Sequence, residues 1–370
     1  MNSLLQLLGQ FGQVLQDHLF PLLDEELGPM SSLHQDLVRT LGMLGMEGFV
    51  SVRHGRGRPA HSRAAIARAF VAKAVFGFPH TRALLDRLQI DSVMRRVCGW
   101  ERAQEVPDET IFSRAFAEFA QSELPQRVHA ALIARTQAER LVGHISRDAT
   151  AIEAREKPQP KPKPSGAAAP PRYRRRKKGE PKRPEQMTRL ERQSSGSLTA
   201  AQMIAELPRL CDVGCKTNSN GHKYMWVGYK LHLDVADGQI PISCLLTSAS
   251  LHDSQAAVPM AEITAKRVTN LYDLMDRGYE SDLIRQHSEK LGHVPIIDRQ
   301  KRGKQDYQMA PHETARFRER TAVERVCARL KDEFGAGSVR VRGAAKVMAH
   351  LMFGLLALTV DQLLRLASPT

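Results

Sequence analysis

The hydrophobic pattern of this chain changes its period near residue 140, and that change is the strongest constraint on its fold. Before it, apolar residues such as Leu4, Leu8 and Phe11 recur every three to four positions, which is the spacing of one helix face. After it, short apolar runs of strand length alternate with helical segments. The sequence therefore predicts an all-helical N-terminal domain over residues 1–140, followed by an α/β domain.

The N-terminal region is predicted to consist of short helices separated by basic or breaker-rich loops. Helix signals fall at residues 4–19, from Ser32, at 62–76, from His80 to Leu88 and at 111–119. The loop at residues 53–59 reads Arg-His-Gly-Arg-Gly-Arg-Pro, which suits contact with a DNA groove but is also an ordinary basic loop. Two interpretations stay open for this region: a helix-turn-helix-like DNA reader, and a helical domain for packing or dimerisation.

The charge of the chain points to a polyanionic partner. The formal net charge is +14 and the isoelectric point is near 9.8, which favours nucleic acid. Residues 157–184 hold eleven Lys and Arg residues against Glu180 alone, an excess of ten positive charges. We expect a disordered or extended basic insertion at about residues 157–190 that contacts DNA phosphates, although a solvated linker would have the same composition. Its densest part is Arg174, Arg175, Arg176, Lys177 and Lys178.

Cysteine usage and hydropathy argue against a secreted or membrane protein. The five cysteines are an odd number in a long chain, which is typical of a reducing cytoplasm. Cys211-x3-Cys215 with His222 fits a zinc site poorly, because no second Cys pair follows. The apolar run 347–360 is interpreted as too short to span a bilayer. It predicts a buried helix within residues 336–370 that packs on the catalytic domain.

One segment near the C-terminus reads Phe317-x2-Arg320-x3-Glu324-x6-Lys331. Steps of three, four and seven residues return to one face of a helix, so these side chains are predicted to form one stripe. A second, apolar stripe beside it consists of Val323, Cys327, Leu330 and Phe334. A carboxylate between two cations suits a metal and phosphate site, but the same pattern fits a solvated face of ion pairs.

Two Asp residues favour the first interpretation, because each follows a predicted strand. Asp148 follows Leu-Val-Gly-His-Ile-Ser-Arg, and Asp276 follows Leu-Tyr-Asp-Leu-Met. Asp273 is out of phase with Asp276 along the same strand and is expected to face away from it. His252-Asp253-Ser254 is expected to start a helix, with Asp253 or Ser254 as its cap.

These residues resemble a family signature. Phe317-x2-Arg320-x3-Glu324-x6-Lys331 is similar to the Tyr-Arg-Glu-Lys signature of bacterial insertion-sequence DDE transposases, with Phe317 in place of the Tyr. Asp148-Ala-Thr-Ala-Ile resembles the segment of the first catalytic Asp, and residues 275–281, Met-Asp-Arg-Gly-Tyr-Glu-Ser, resemble the second. Residues 106–114, Val-Pro-Asp-Glu-Thr-Ile-Phe-Ser-Arg, resemble the N-terminal region of the family. The resemblance therefore covers most of the chain, and it places a similar His-Asp-Ser near the transposase site.

The predicted order of elements agrees with the fold that this resemblance implies. Strands are predicted at 141–148, 224–235, 239–248, 271–275 and 294–297, and helices at 258–266, 281–291 and around Glu324. Ala236-Asp237-Gly238 is a strong hairpin signal between two of the strands. The order is that of a ribonuclease-H-like α/β domain with a mixed sheet, expected over residues 141–335.

The resemblance also implies a chemistry. Asp148, Asp276 and Glu324 would be the catalytic acids and would bind two Mg²⁺ ions, for which Mn²⁺ can substitute. Arg320 and Lys331 would face substrate phosphate or orient the acid between them. The enzyme would hydrolyse the transposon end, and the freed 3′-hydroxyl would then attack target DNA.

The implied partners are double-stranded DNA, as terminal inverted repeats and target, and a second copy of the chain in a synaptic homodimer. We expect no membrane partner and a location in the bacterial cytoplasm at the nucleoid. Two alternatives stay open: a metal-dependent nuclease of the same fold, and a catalytically silent DNA-binding protein derived from a transposase.

Overall fold

The computed structural model describes residues 2–50, 60–158, 187–217, 221–299 and 308–367. In this part of the chain, a helical region is followed by a mixed β-sheet with helices. The helices before the sheet are α1 Asn2–Val14, α2 Phe20–Leu27, α3 Ser32–Leu44, α4 Arg63–Val75, α5 Thr81–Ile90, α6 Ser92–Cys98, α7 Glu109–Gln121 and α8 Leu124–Gln137. A π-helical turn, Leu15–Leu19, joins α1 to α2.

Helix α7 illustrates how the helical region forms. The Asp108 carboxylate accepts a hydrogen bond from the Ile111 N–H at 3.0 Å, which satisfies one of the free donors at the start of the helix. One side of α7 then buries Phe112 and Phe116, four residues apart. Their rings lie 5.7 and 4.8 Å from the ring of Phe70 on α4. A capped, amphipathic helix thus contributes aromatic side chains to a shared core.

The sheet and its helices follow from residue 141. The strands are β1 Leu141–Glu153, β2 Asp212–Thr217, β3 Lys223–Ala236, β4 Ile240–Ser248, β5 Thr269–Met275 and β6 Val294–Ile297. The helices are α9 Arg189–Ser194, α10 Ala200–Ala205, α11 Ser254–Ala265, α12 Asp282–Lys290, α13 Pro311–Phe317, α14 Thr321–Asp332 and α15 Ala344–Ala367. Two 3₁₀ turns matter for the site: Arg277–Tyr279 after β5, and Arg318–Arg320 between α13 and α14.

The sheet is mixed, as the sequence predicts. Strand β3 is antiparallel to both β1 and β4, while β1, β5 and β6 run parallel. The order is β2-β3-β1-β5-β6, and β4 also pairs with β3. Strand β2 pairs with residues 223–228 of β3, and β4 pairs with residues 229–236. A helical N-terminal region followed by this α/β arrangement confirms the predicted fold class and is consistent with a ribonuclease-H-like domain.

Helix α15 connects the two regions. It packs against α1, α3, α4, α7 and α8, and also against β4 and α14. One hydrophobic cluster includes Phe70 of α4, Ile145 of β1 and Phe353 of α15, so the helical region and the sheet share a core. The helix has 24 residues, which is long enough to cross a membrane by length and composition, but 78% of its apolar window is buried inside the protein. The expected buried helix is confirmed. It is longer than the apolar run 347–360, so the expectation that this segment is too short to span a bilayer is wrong.

Candidate active site

Strands β1 and β5 bring two of the predicted acids to one place. Their parallel register pairs Arg147 with Met275, the last residue of β5, so Asp148 on β1 and Asp276 just after β5 are the next residues along the chain. The expectation that Asp148 ends a strand is wrong, because β1 continues to Glu153 along β3. The pairing of β1 with β5 does stop before Asp148. This position therefore lies at the end of the parallel part of the sheet, where side chains from two strands can approach each other.

Backbone N–H groups hold both carboxylates. The Asp148 carboxylate accepts a hydrogen bond from the Ala149 N–H at 2.7 Å. The Asp276 carboxylate accepts one from the Gly278 N–H at 2.9 Å, at the start of the 3₁₀ turn Arg277–Tyr279. Charged acceptors of backbone N–H groups make stronger hydrogen bonds than neutral ones. The two side chains are thus oriented by the local backbone on which they stand.

Glu324 reaches this place through Arg320. The Nη1 of Arg320 lies 3.5 Å from an oxygen of Asp148, and its Nη2 donates to the carboxylate of Glu324. The side chain of Glu324 is 51% exposed, whereas that of Asp148 is 16% exposed. Arg320 therefore bridges the first and third predicted acids, and Glu324 forms the open side of the site.

The segment that carries Glu324 differs from its prediction. Phe317 and Lys331 do not lie on one continuous α-helix, because the 3₁₀ turn Arg318–Arg320 separates α13 from α14. The guanidinium of Arg320 still lies 5.7 Å from the centre of the Phe317 ring. The apolar stripe is confirmed, with Val323, Cys327 and Leu330 buried and Phe334 packed against the same core.

Lys331 is the predicted stripe residue that the structure keeps apart from the acids. It lies seven residues after Glu324, which is about 10 Å along a helix axis. In the described part of the chain, no hydrogen bond or ion pair joins Lys331 to Asp148, Asp276 or Glu324. Its charge acts instead on the Cys327 thiol. Burial raises the pKa of that thiol to about 12, and the charge of Lys331 opposes this rise.

The electrostatics of the site disfavour the ionised acids. Burial, and then the charge of Asp276, raise the pKa of Asp148 to about 6, although the Ala149 N–H and the charge of Arg320 act against this. Burial also raises the pKa of Asp276, while the Gly278 N–H lowers it. A nearby like charge disfavours ionisation of a carboxyl: for Asp148 that charge is Asp276, and for Asp276 it is Asp253. The site has more negative charge than its own cations neutralise.

The donor set suits a hard divalent cation in part. Asp148 and Asp276 supply the oxygen ligands that Mg²⁺ prefers, and their mutual repulsion is what such a cation would relieve. Among the described residues, however, no group of three His, Cys, Asp or Glu side chains is arranged to hold a metal ion. Arg320 stands between Asp148 and Glu324. The two Asp residues therefore fit a metal, and Glu324 points to Arg320 instead.

Further polar residues lie near the acids. Asp253 belongs to the His-Asp-Ser run that the resemblance places near the site, and Asp253 or Ser254 was expected to cap α11. The side chain of Asp253 makes no cap hydrogen bond. It accepts one from the Lys230 ammonium at 2.8 Å, and its charge raises the pKa of Asp276. Lys216 of β2 lies close enough for its charge to lower the pKa of both Asp148 and Asp276. Neither Lys230 nor Lys216 belongs to a sequence motif. The pairing of β3 with β1 and of β2 with β3 places them near the acids.

Tyr279 is a further residue of the site. It is fully buried, and its hydroxyl has no hydrogen-bond partner in the described part of the chain. Burial raises its pKa well above the usual value, and the charges of Asp253, Asp148 and Asp276 add to this. The Asp-Arg-Gly-Tyr run that contains it was a sequence signal, but that signal was assigned to Asp276 alone.

The opposite face of the sheet holds paired charges. The guanidinium of Arg147 donates to both carboxylate oxygens of Asp234, each at 2.7 Å, and both residues are fully buried. The carboxylate of Asp273 lies 3.1 Å from Nδ1 of the His293 ring and accepts a hydrogen bond when that nitrogen carries the proton. Asp273 is buried and faces away from Asp148 and Asp276. Both carboxylates on this face thus have side-chain partners where they lie.

Other sequence predictions fall outside the described residues. They include the five basic residues Arg174, Arg175, Arg176, Lys177 and Lys178, most of the predicted insertion at 157–190, and the basic loop at 53–59. Cys211, one of the residues of the weak zinc motif, places its thiol against the carbonyl of Glu156 at 3.8 Å.

Two family models match this chain. A family model described as "Transposase DDE domain" matches residues 206–360, and one described as "Transposase domain (DUF772)" matches residues 17–118. The first range includes Asp276 and Glu324 and begins after Asp148. No curated protein and no solved structure gives a significant match.

Together the two matched ranges cover most of the chain, and each falls on the structural region where such a domain is expected. The matches therefore indicate a transposase, a class of enzyme that acts on DNA, and the fold is consistent with it. The chain belongs to the insertion-sequence family of DDE transposases. This membership implies a DNA substrate.

Proposed function

We propose that this protein is a catalytically active transposase in which Asp148, Asp276 and Glu324 hold two divalent metal ions, Mg²⁺ or Mn²⁺. The observation that carries the proposal is the adjacent placement of Asp148 and Asp276 with raised pKa values. Neighbouring, partly buried carboxylates lower the stability of a protein, so folding alone does not account for them. A metal-binding and catalytic role does account for them.

Each residue has a task in this proposal. Divalent ions bound at the acids would supply charge for the attacking and leaving oxygens of a phosphodiester. The N–H groups of Ala149 and Gly278 keep the two Asp carboxylates in fixed orientations. Arg320 holds Glu324 while the site has no substrate. When Glu324 turns toward the other acids, the guanidinium of Arg320 is left facing the place of a DNA phosphate.

The proposed reaction has two stages. Water first cleaves the DNA at the end of the mobile element, and the freed 3′-hydroxyl then attacks a phosphodiester of target DNA. We propose that the element ends are terminal inverted repeats, that two copies of the chain hold them in a synaptic complex, and that residues 1–140 contribute DNA binding or dimerisation. The α/β domain over 141–335 would carry the chemistry, at the nucleoid of a bacterial cytoplasm.

A joining assay tests the proposal. The purified protein is incubated with Mg²⁺ or Mn²⁺, a duplex carrying the DNA that flanks its coding sequence, and a supercoiled target plasmid. Sequencing of the products should find element ends joined through their 3′-hydroxyls to the plasmid. Cleavage without joining would indicate the nuclease alternative, and binding without cleavage would indicate the silent one. Glu333→Gln serves as a control, since this exposed carboxylate pairs with Arg329 at the far end of α14.

The basic insertion is proposed to contact DNA phosphates. Each engaged cation adds about −0.9 to the log–log slope of affinity against salt on duplex DNA. If about four of its eleven cations engage, deletion of residues 158–184 should flatten that slope by about 3 to 4 units. Affinity should fall alike for cognate and scrambled duplexes, because phosphate contacts carry no base information. An unchanged slope would reduce the insertion to a linker.

A further inference from the structure

A cavity of about 420 Å³ lies between the helical region and the C-terminal helix. This volume is within the range of sites that bind small organic molecules. Residues of α4, α7, α15 and the segment after α14 form its walls. The lining residues that matter most are Phe70, Lys73, Phe116, Arg340, Lys346 and Phe353.

The cavity is separate from the candidate active site. Phe334 and Gly335, in the cavity wall, lie just beyond Glu333, the C-cap of α14. The first turn of α14 carries Glu324. Ten residues of helix span about 15 Å at 1.5 Å per residue. None of the three acids lines the cavity, so its ligand would not be the phosphodiester at the acids.

Lys73 is the unusual residue of this cavity. It is only 9% exposed on α4, and no hydrogen bond or ion pair joins its ammonium group to any residue that the structure describes. Buried charges in proteins are normally paired, because desolvation without a partner is costly. Burial accordingly lowers the pKa of Lys73 to about 8. A ligand anion would supply the partner that the described chain lacks.

The rest of the polar lining is also cationic. Arg340, Arg342 and Lys346 stand at the cavity, with Glu109 as the carboxylate among the lining residues. The side chain of Arg342 is partly committed, since its Nε donates to the carbonyl of Arg155 at 3.1 Å. Four cations against one carboxylate select a ligand with more than one negative charge.

His350 adds no charge to this lining. Its Nε2 lies 3.0 Å from the carbonyl of Gly335. Burial, and then the charge of Lys73, lower its pKa to about 4, so the ring is neutral at physiological pH. The positive charge of the cavity therefore comes from Lys and Arg side chains.

The apolar part of the cavity is aromatic. The ring of Phe70 lies 4.8 Å from that of Phe116 and 5.5 Å from that of Phe353. Phe78, also in the lining, stacks on Phe76 at 5.7 Å with an interplanar angle of 14°. Aromatic faces accept flat ring systems by stacking, and nucleobases do this without sequence preference.

We propose that this cavity binds a nucleoside phosphate, with the phosphates at Lys73, Arg340 and Lys346 and the base against the phenylalanine rings. A ligand of this class combines several negative charges with a flat apolar body, which is what the two parts of the lining require. The volume is too small for a DNA duplex, so the ligand is a free nucleotide or a single nucleotide at a DNA strand end.

Calorimetric titration of the full-length protein with ADP, pyrophosphate and adenosine tests the proposal. ADP should bind more tightly than either fragment, since only ADP engages both parts of the lining. Lys73→Met should weaken ADP binding about ten- to hundredfold, as expected for the loss of a charged hydrogen bond. The matched control Lys290→Gln removes one positive charge at the exposed end of α12 and should leave the affinity within about twofold.

The variant should fold, because Lys73→Met removes a buried charge that has no partner, and its thermal unfolding temperature should not fall. Displacement of ADP by a 5′-phosphorylated oligonucleotide in wild type would assign the site to a DNA end, and failure to displace would assign it to a free nucleotide. Three results would overturn the proposal: no ADP binding at millimolar concentration, equal ADP affinity in folded Lys73→Met, or pyrophosphate binding as tight as that of ADP.

Discussion

Arg147 and Asp148 are neighbours on β1, and their side chains lie on opposite faces of the sheet. On one face, Arg147 is enclosed by the protein and donates two hydrogen bonds of 2.7 Å to Asp234, which also accepts from the Thr264 hydroxyl. On the other face, Asp148 lies beside a second acid, Asp276, and its nearest cation is Arg320 at 3.5 Å, with a weaker contribution from Lys216.

The two faces are expected to have different roles: the face of Arg147 stabilises the fold, and the face of Asp148 carries the activity. A buried ion pair with every hydrogen bond made is compatible with a stable fold. Adjacent, partly buried acids with raised pKa values cost stability, and they are typical of sites that bind metal or transfer protons. Substitutions on the face of Arg147 should therefore destabilise the fold, and substitutions on the face of Asp148 should reduce activity.

Breaking the pair on the structural face should have the largest effect on stability. Arg147→Met leaves Asp234 buried without its cation, which should lower the free energy of unfolding by about 3–5 kcal/mol. Urea denaturation followed by circular dichroism would measure it. The double variant Arg147→Met with Asp234→Leu removes both charges and should recover most of the loss. A single variant less than about 1 kcal/mol below wild type would contradict the structural role.

On the other face, Asp148→Asn should stabilise the metal-free protein. The folded pKa of Asp148, about 6, lies above the unfolded value near 3.9, so ionisation is harder in the folded state. Wild type should lose about 2–3 kcal/mol as pH rises from about 4 to about 6, whereas the Asn variant should not. The variant should thus be more stable at pH 7.5 and equal to wild type at pH 3.5.

The measurement is urea denaturation of both proteins in EDTA across this pH range. Addition of Mg²⁺ at pH 7.5 should then stabilise wild type and leave Asp148→Asn unchanged, because a ligand stabilises only the state that binds it. Equal stabilities at pH 7.5 would show that Asp148 is not destabilised by its surroundings.

A smaller effect is expected from the cations of the C-terminal segment. Arg320→Ala should slow DNA cleavage about ten- to hundredfold, the equivalent of about 1–3 kcal/mol for one charged contact. Lys331→Ala should have less effect, since Lys331 lies two helix turns beyond Glu324 and contacts none of the acids. Single-turnover cleavage with saturating protein distinguishes the two variants. Equal, small losses would instead support a solvated face of ion pairs.

Much of the fold follows from the sequence because its signals are local. The hairpin at Ala236-Asp237-Gly238 and the strand Val294–Ile297 are confirmed where they were predicted. Helix α7, Glu109–Gln121, covers the helical run predicted at 111–119 and follows the capping residue Asp108. In each case a turn signal or a capping residue sits beside a run of apolar side chains, so neighbouring residues suffice to define the element.

The features that were missed depend on partners distant in sequence. Strand β2 is a short edge strand of mostly exposed residues without an alternating pattern, and it exists because β3 pairs with it. The extension of β1 to Glu153 likewise requires the register with β3. The bond between Arg147 and Asp234 joins residues 87 positions apart, and no local pattern predicts it. The same holds for the approach of Lys216 to the acids.

The most direct test of the account is metal-dependent cleavage by variants of the three acids. The substrate is a labelled duplex carrying the DNA that flanks the coding sequence, with Mg²⁺ or Mn²⁺. Asp148→Asn, Asp276→Asn and Glu324→Gln should each cleave at least about a thousandfold more slowly, because a lost metal ligand removes several kcal/mol of transition-state stabilisation. Binding of the duplex should stay within about twofold of wild type.

Asp273→Asn is the matched control, because this acid lies on β5 three residues before Asp276, faces the other way and has its own partner in His293. Assayed at a temperature where circular dichroism finds it folded, this variant should cleave at close to the wild-type rate. Three inactive variants beside one active control are expected. Near wild-type cleavage by Asp148→Asn, Asp276→Asn or Glu324→Gln would contradict it.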